Sequence, residues 1–233
     1  MGQILIFRHS PDDGPGYFGR FLTRMRVPYR VVRIDRGEPV PRGLGEAPAV
    51  VFMGGPQSVN DPLSWIPLAL RLIREAVERG LPVLGHCLGG QLISKALGGE
   101  VGGSPAKEIG WLPVRQVPGQ AASDWLSRLP QSFDVFQWHW ESFSLPPGSH
   151  RILESDGCPN QGFVLEKALG LQFHIEMLTG MVKQWARDPG DALASPCLTV
   201  QTPDEMRSDL RRRVKQLHDV ADQIYSRWLL GLS

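Results

Sequence analysis

Leu81-Pro-Val-Leu-Gly-His-Cys-Leu-Gly-Gly-Gln91 is the stretch on which the fold turns. The apolar run Pro82–Gly85 has the length of a buried strand, and a helix from about Leu88 to Leu97 follows at once, ending at Gly98-Gly99. Between them stands G-x-C-x-G, the layout of a nucleophile elbow with cysteine where serine is more familiar. Gly85 and Gly89 remove side chains that would collide in so sharp a turn. The thiol of Cys87 then projects from the carboxyl end of the strand, where open α/β sheets bind their ligands. The helix that follows aims its first amides at the same point, which favours a thiolate or an oxyanion. A buried, inert cysteine in a glycine-rich turn fits the motif equally well.

Upstream, β-rich runs at Ile4–Phe7, Arg30–Ile34 and Ala49–Met53 alternate with helical spacing at Tyr17–Met25 and through Leu70, Ile73 and Val77 to Gly80. Asp61-Pro62 has the form of a helix start, with Pro67 delaying the regular part. Strands alternating with helices imply βαβ units and an open, mostly parallel sheet covered on both faces. Downstream, Ile109–Val117, Asp134–Trp138, Arg151–Ser155, Gly162–Glu166 and Leu169–Phe173 are expected as strands joined by turns, with Ser123–Leu129 helical. They predict an antiparallel or mixed extension of the sheet. Met206, Leu210, Val214, Leu217, Ala221, Ile224 and Trp228 form one stripe on a terminal amphipathic helix, and Pro189–Pro203 is expected as a loop. No repeat or linker divides the chain, so residues 1–233 are expected as a single α/β domain.

Composition narrows the function. A chain of 233 residues with net charge +1 has no global field to draw it to nucleic acid or an anionic membrane, and no apolar run approaches a membrane span. Arg211-Arg-Arg213 has Asp209 and Asp219 nearby and is expected as a solvated face. Three separated cysteines make no C-x-x-C pair and cannot all pair within one chain; no metal or cofactor is expected, and a reducing cytoplasm is the simplest compartment.

A thiolate nucleophile needs a base, and the base needs an orienting group. Leu171-Gln-Phe-His-Ile-Glu176 offers both: a β-run delivers His174, and Glu176 stands two residues on, on the same side. Cys87, His174 and Glu176 are therefore the candidate triad. His86 is expected to be a packing residue, His9 structural or solvated, and Cys158 and Cys197 incidental thiols. Trp138 and Trp140 alternate with His139, so one side faces core and the other a cleft.

Together Gly85-His-Cys-Leu-Gly-Gly-Gln91, Gln172-Phe-His-Ile-Glu176 and Gly54-Gly-Pro56 resemble the class I, triad-type glutamine amidotransferases. Gly54-Gly-Pro-Gln-Ser-Val59, Gln137-Trp-His-Trp-Glu141 and Cys158-Pro-Asn-Gln161 are most similar to stand-alone proteins related to the glutaminase domain of GMP synthase. The resemblance implies a flavodoxin-like fold and attack of Cys87 on a glutamine carboxamide, with a γ-glutamyl thioester and free ammonia as products. It implies an oxyanion hole at the amides of Gly55 and Leu88, and substrate contacts at Gln91, His139 and Trp140. Ile175 departs from the family's usual proline without altering a chemical group.

The chain carries no G-x-x-x-x-G-K-[ST] loop, no G-x-G-x-x-G after a strand and no Ser-Gly-Gly-x-Asp-Ser loop of the ATP-using GMP synthase domain. Three functions remain in view. One is a glutaminase with a separate ammonia-accepting synthetase subunit. The second is a stand-alone hydrolase of γ-glutamyl compounds, and the third a non-catalytic protein on the same scaffold.

Overall fold

The computed structural model describes residues 2–187, 189–193 and 198–232. Strand β1 (Ile4–Arg8) shows why the sheet has two covered faces. Ile4 and Ile6 enter one apolar cluster, while Phe7 enters the other. This is the period of two expected of a strand buried on both sides. Helix α1 (Gly16–Arg24) leads to β2 (Tyr29–Arg33), which pairs parallel to β1. Strand β3 (Val50–Phe52), helix α2 (Trp65–Glu78), strand β4 (Val83–His86) and helix α3 (Leu88–Ala96) complete the parallel part.

The second half is built largely from antiparallel strands. These are β5 (Val101–Gln116), β6 (Ser132–Phe143) after helix α4 (Gln120–Leu126), β7 (His150–Glu154), β8 (Gly162–Leu165) and β9 (Ala168–Leu171). The described residues form one nine-stranded sheet in the order β2-β1-β3-β4-β9-β8-β7-β5-β6. It is parallel from β2 to β9 and antiparallel from β9 outward. The mostly parallel sheet with an antiparallel extension is thus as expected from the sequence. Helices α5 (Thr179–Trp185), α6 (Pro203–Arg207) and α7 (Leu210–Leu229) close the chain. None of the described helices is long and apolar enough to cross a membrane.

Several boundaries differ from expectation, each for a local reason. Asp61 does not start α2. Its carboxylate accepts the amide of Ser58 and closes a turn of its own, and the helix begins at Trp65 with Pro67 in its first turn. Helix α4 begins three residues earlier than Ser123, just after Gly119. The terminal stripe is carried by two helices. Met206 belongs to α6, which has its own capping box between Thr202 and Glu205, and Asp209 breaks the chain at φ 50° before α7. Part of the expected loop Pro189–Pro203 docks on β5, with the Ile109 amide donating to the Thr199 carbonyl and the Gln201 amide to that of Ile109. Cys197 lies outside the described residues.

Strand β4 lies between β3 and β9, and α3 is pressed directly onto all three. A Cβ on Gly89 would stand 1.9 Å from the Phe52 carbonyl oxygen, and one on Gly85 2.3 Å from the Gly89 carbonyl carbon. Neither site has room for a methyl group. Helix α7 covers the opposite face: Phe18 of α1 meets Tyr225 and Trp228 edge-on at 4.7 and 5.8 Å between ring centres. Replacing Gly89 by alanine is expected to cost about 3 kcal/mol through backbone displacement, at the upper end of overpacking changes. Urea unfolding measures it, and an unchanged midpoint would contradict this packing.

Candidate active site

The carboxyl ends of β1, β3 and β4 meet where the strand order reverses, the place at which such sheets bind ligands. A pocket of about 500 Å3 opens there. The loop after β1 contributes Ser10, Asp12 and Asp13, and the loop after β3 contributes Gly55 to Ser58 and Asp61. Strand β6 adds Trp138 to Glu141, and Cys87, Gln91 and His174 line the inner part.

Cys87 occupies the elbow with φ 49° and ψ −109°, a backbone conformation rarely adopted by a side chain with a Cβ. It is kept there by the hydrogen bond that its amide donates to the Leu171 carbonyl at 2.8 Å and by the crowding of α3 on the sheet. The sulfur stands 3.8 Å from the Trp138 carbonyl oxygen and 3.7 Å from the Gln172 amide nitrogen. Leu88 is the first residue of α3, so its amide has no carbonyl partner within the helix.

His174 is not at the end of a strand as expected. β9 stops at Leu171, and His174 is fixed three residues later by a lone bridge to β6, its amide donating to the Phe136 carbonyl at 2.9 Å. Its ring rests edge-on against Trp185 of α5, with centres 5.0 Å apart. Nδ1 lies 2.6 Å from Glu176 Oε1, both groups being buried. Burial works against a charged imidazole here. Glu176, foremost, and the Cys87 sulfur outweigh it and hold His174 well above the ordinary histidine value. Burial likewise opposes the Glu176 carboxylate, but His86 and His174 keep its pKa below the usual value. Candidate nucleophile, base and orienting carboxylate are thus brought together.

The remaining sequence candidates also reach this region. Gln91 is buried and donates to the Glu141 carbonyl. His139 has Nδ1 3.1 Å from the Glu141 carbonyl oxygen and Nε2 3.2 Å from Glu108 Oε2. Glu108 in turn accepts from Ser155 and Gln161. Trp140 is half exposed at the mouth. Gly55 lines the pocket and abuts Leu88, whose side chain would lie 2.9 Å from a Cβ at Gly55. His9 is structural rather than solvated. Its Nδ1 faces the carbonyls of Met53 and Gly54, and burial lowers its pKa to about 4, so it is neutral.

Sequence reasoning missed Asp13, Gln172, Glu108 and Tyr225. Only Glu108, a charge inside a strand, and Gln172, beside the candidate base, had a signal. His86 was expected to be mere packing; the structure places it 3.7 Å from Glu176 Oε2 and 3.0 Å from the Tyr225 hydroxyl.

The family model for class-I glutamine amidotransferases matches residues 19–184. The glutamine amidotransferase-like protein YfeJ of Salmonella typhimurium is 31% identical over 170 residues, covering 69% of this chain and 71% of the relative. The GMP synthase of Aeropyrum pernix is 34% identical over 184 residues; the match covers 77% of this chain but only 33% of that protein. Among solved structures, a glutamine amidotransferase from Methylobacillus flagellatus superposes with a TM-score of 0.96 at 41% identity, covering 100% of this chain and 96% of that one. One from Thermotoga maritima gives 0.86 at 29% identity, covering 97% of each chain.

Asp13 provides a pH test of this geometry. Burial, opposed by His174, raises its pKa from 3.8 to about 6. Folding therefore favours the protonated form. Its contribution is full below pH 3.8 and is lost as pH rises through 6, leaving a buried carboxylate that costs up to about 3 kcal/mol. Asp13→Asn is expected to melt higher than the wild type at pH 8 and to converge with it near pH 4. A difference independent of pH would contradict the burial of this carboxyl.

Proposed function

The chain belongs to the class-I glutamine amidotransferase family, and from that premise we propose that it opens the side-chain amide of glutamine through a γ-glutamyl thioester on Cys87. The observation that carries the proposal is the junction of the Cys87 elbow with the His174–Glu176 pair in one pocket.

The thiolate attacks the amide carbon. The C=O electrons move to oxygen, and the amides of Gly55 and Leu88 receive the oxyanion, the Leu88 amide because it starts α3. His174, held as imidazolium by Glu176, gives its proton to the departing nitrogen. The C–N bond breaks, ammonia leaves and the thioester remains. His174, now neutral, takes a proton from water, whose oxygen attacks the thioester. Collapse releases glutamate and restores the thiolate–imidazolium pair. Gln91, His139 and Trp140 would hold the amino-acid end of the substrate, and the carboxylates of Asp13 and Glu141 suit its ammonium group.

Ammonia requires an acceptor. The chain spans about a third of the Aeropyrum GMP synthase, and a separate synthetase subunit would take the role of the remainder. A second reading, hydrolysis of γ-glutamyl compounds, is favoured by the size of the pocket. About 500 Å3 lies within the range that holds drug-sized ligands, and leaves room for a leaving group larger than ammonia.

Ammonia release from glutamine, followed by a coupled glutamate dehydrogenase assay, is expected to disappear in Cys87→Ala. In Glu176→Gln, kcat is expected to fall by about 10²–10⁴ with little change in KM. If the wild type ignores glutamine but cleaves γ-glutamyl dipeptides in a Cys87-dependent way, the second reading replaces the first. Turnover that survives Cys87→Ala would contradict both.

A further inference from the structure

We propose that His86 is a positioning residue for the triad: steadied by the Tyr225 hydroxyl, its imidazole holds the second carboxylate oxygen of Glu176 so that the first stays on His174. The inference rests on the triad reading above but concerns a residue that this reading does not use.

His86 ends β4 and Cys87 follows it, and the two face different chemistry. Cys87 lines the substrate pocket, whereas His86 lies beneath it with no exposed surface. Its backbone is locked by the strand register opposite Leu171 of β9. Its ring packs toward Phe18 of α1 and Tyr225 of α7, with centres 6.4 and 5.9 Å away. Glu176 Oε1 is taken by His174 at 2.6 Å. Oε2 is equally buried and has no hydrogen-bond partner, and His86 Nε2 faces it at 3.7 Å. That separation exceeds a formed hydrogen bond, and catalytic contacts of this kind often close only when substrate is bound.

The facing carboxylate selects the tautomer: an Nε2 lone pair would point at Glu176 Oε2, whereas an Nε2–H turns its positive end there. His86 Nδ1 has no partner, so a proton there would be a buried, unpaired donor. A proton on Nε2 points to the Tyr225 oxygen at 3.0 Å and to Glu176. The titratable groups that face His86 are Glu176, His174 and Tyr225. Burial, opposed by Glu176 and aided by His174, lowers its pKa, so it acts as a neutral donor. Without it Glu176 would keep a buried oxygen with no donor and could rotate away from His174. Through Tyr225, helix α7 becomes part of the support for the triad.

The test compares His86→Leu, His86→Gln and Tyr225→Phe with the wild type. It measures the rate at which iodoacetamide alkylates the Cys87 peptide at neutral pH, followed by mass spectrometry, beside kcat, KM and thermal melting. Glutamine carries its amide nitrogen where His Nε2 stands, whereas leucine keeps the bulk alone. His86→Leu is expected to slow alkylation and to lower kcat, each by about tenfold or more, with KM within about twofold, as for other residues that orient a catalytic group. His86→Gln is expected to recover most of both rates, and Tyr225→Phe to lose less than His86→Leu. Wild-type alkylation and kcat in a folded His86→Leu overturn the proposal, as does a loss that His86→Gln does not recover. If His86→Leu does not fold, Tyr225→Phe decides, and a wild-type alkylation rate there overturns it. An effect on alkylation in a protein that turns over no glutamine would instead remove the glutamine assignment and leave the role of His86 intact.

Discussion

The constraint on which the structure depends is the turn at Cys87, where a non-glycine residue is held in a left-handed backbone conformation between β4 and α3. Such a conformation costs of order 1–3 kcal/mol and persists only where its surroundings leave no alternative. Here they leave none. The carbonyl oxygen of Phe52 lies where a Cβ on Gly89 would be, so α3 sits directly on the sheet, and the Cys87 amide is tied to Leu171. Close contact of helix and strand forces the turn, and the turn puts a thiol and a helix N-terminus at one point. Gly85 and Gly89 matter because they let two backbones meet.

A second centre is the buried carboxyl of Glu176. Burying a carboxylate is expensive unless each oxygen is compensated. His174 compensates one oxygen, and His86 faces the other at 3.7 Å. The backbone of the same residue is also held, since its carbonyl accepts the Tyr17 amide at the start of α1. Elements distant in sequence thus converge on one residue, α1 on its backbone and β4, backed by α7 through Tyr225, on its carboxylate. Its position is therefore a property of the whole sheet and its two covering helices, and the imidazole of His174 inherits that position.

Much of this was legible because it is local. Strand, glycine turn and helix at 81–97 follow from apolar length and glycine spacing, and the alternation of elements before them implies the parallel sheet. The resemblance carried by the cysteine, histidine and glycine motifs added the family. What escaped the sequence depends on contacts between distant segments. His174 is placed by a bridge to Phe136 rather than by its own strand. The apolar stripe of the terminal helix runs unbroken through Asp209, although the backbone there turns left-handed. Asp61 has the composition of a cap but spends its carboxylate on Ser58. Asp13 sits in a Pro-Asp-Asp-Gly-Pro stretch that carries only a loop signal, and nothing local shows that the loop folds inward. For His86 the missing information was Tyr225, 139 residues away.

The central claim is that Cys87 becomes covalently bonded to the γ-carbonyl of its substrate. Rapid acid quenching of enzyme mixed with glutamine, followed by mass spectrometry of the Cys87 peptide, tests it most directly. The account predicts a γ-glutamyl adduct on Cys87 that forms before the steady state and disappears as glutamine is exhausted. Consumption of glutamine with the Cys87 peptide unmodified at every time point, under conditions that preserve thioesters, would contradict it.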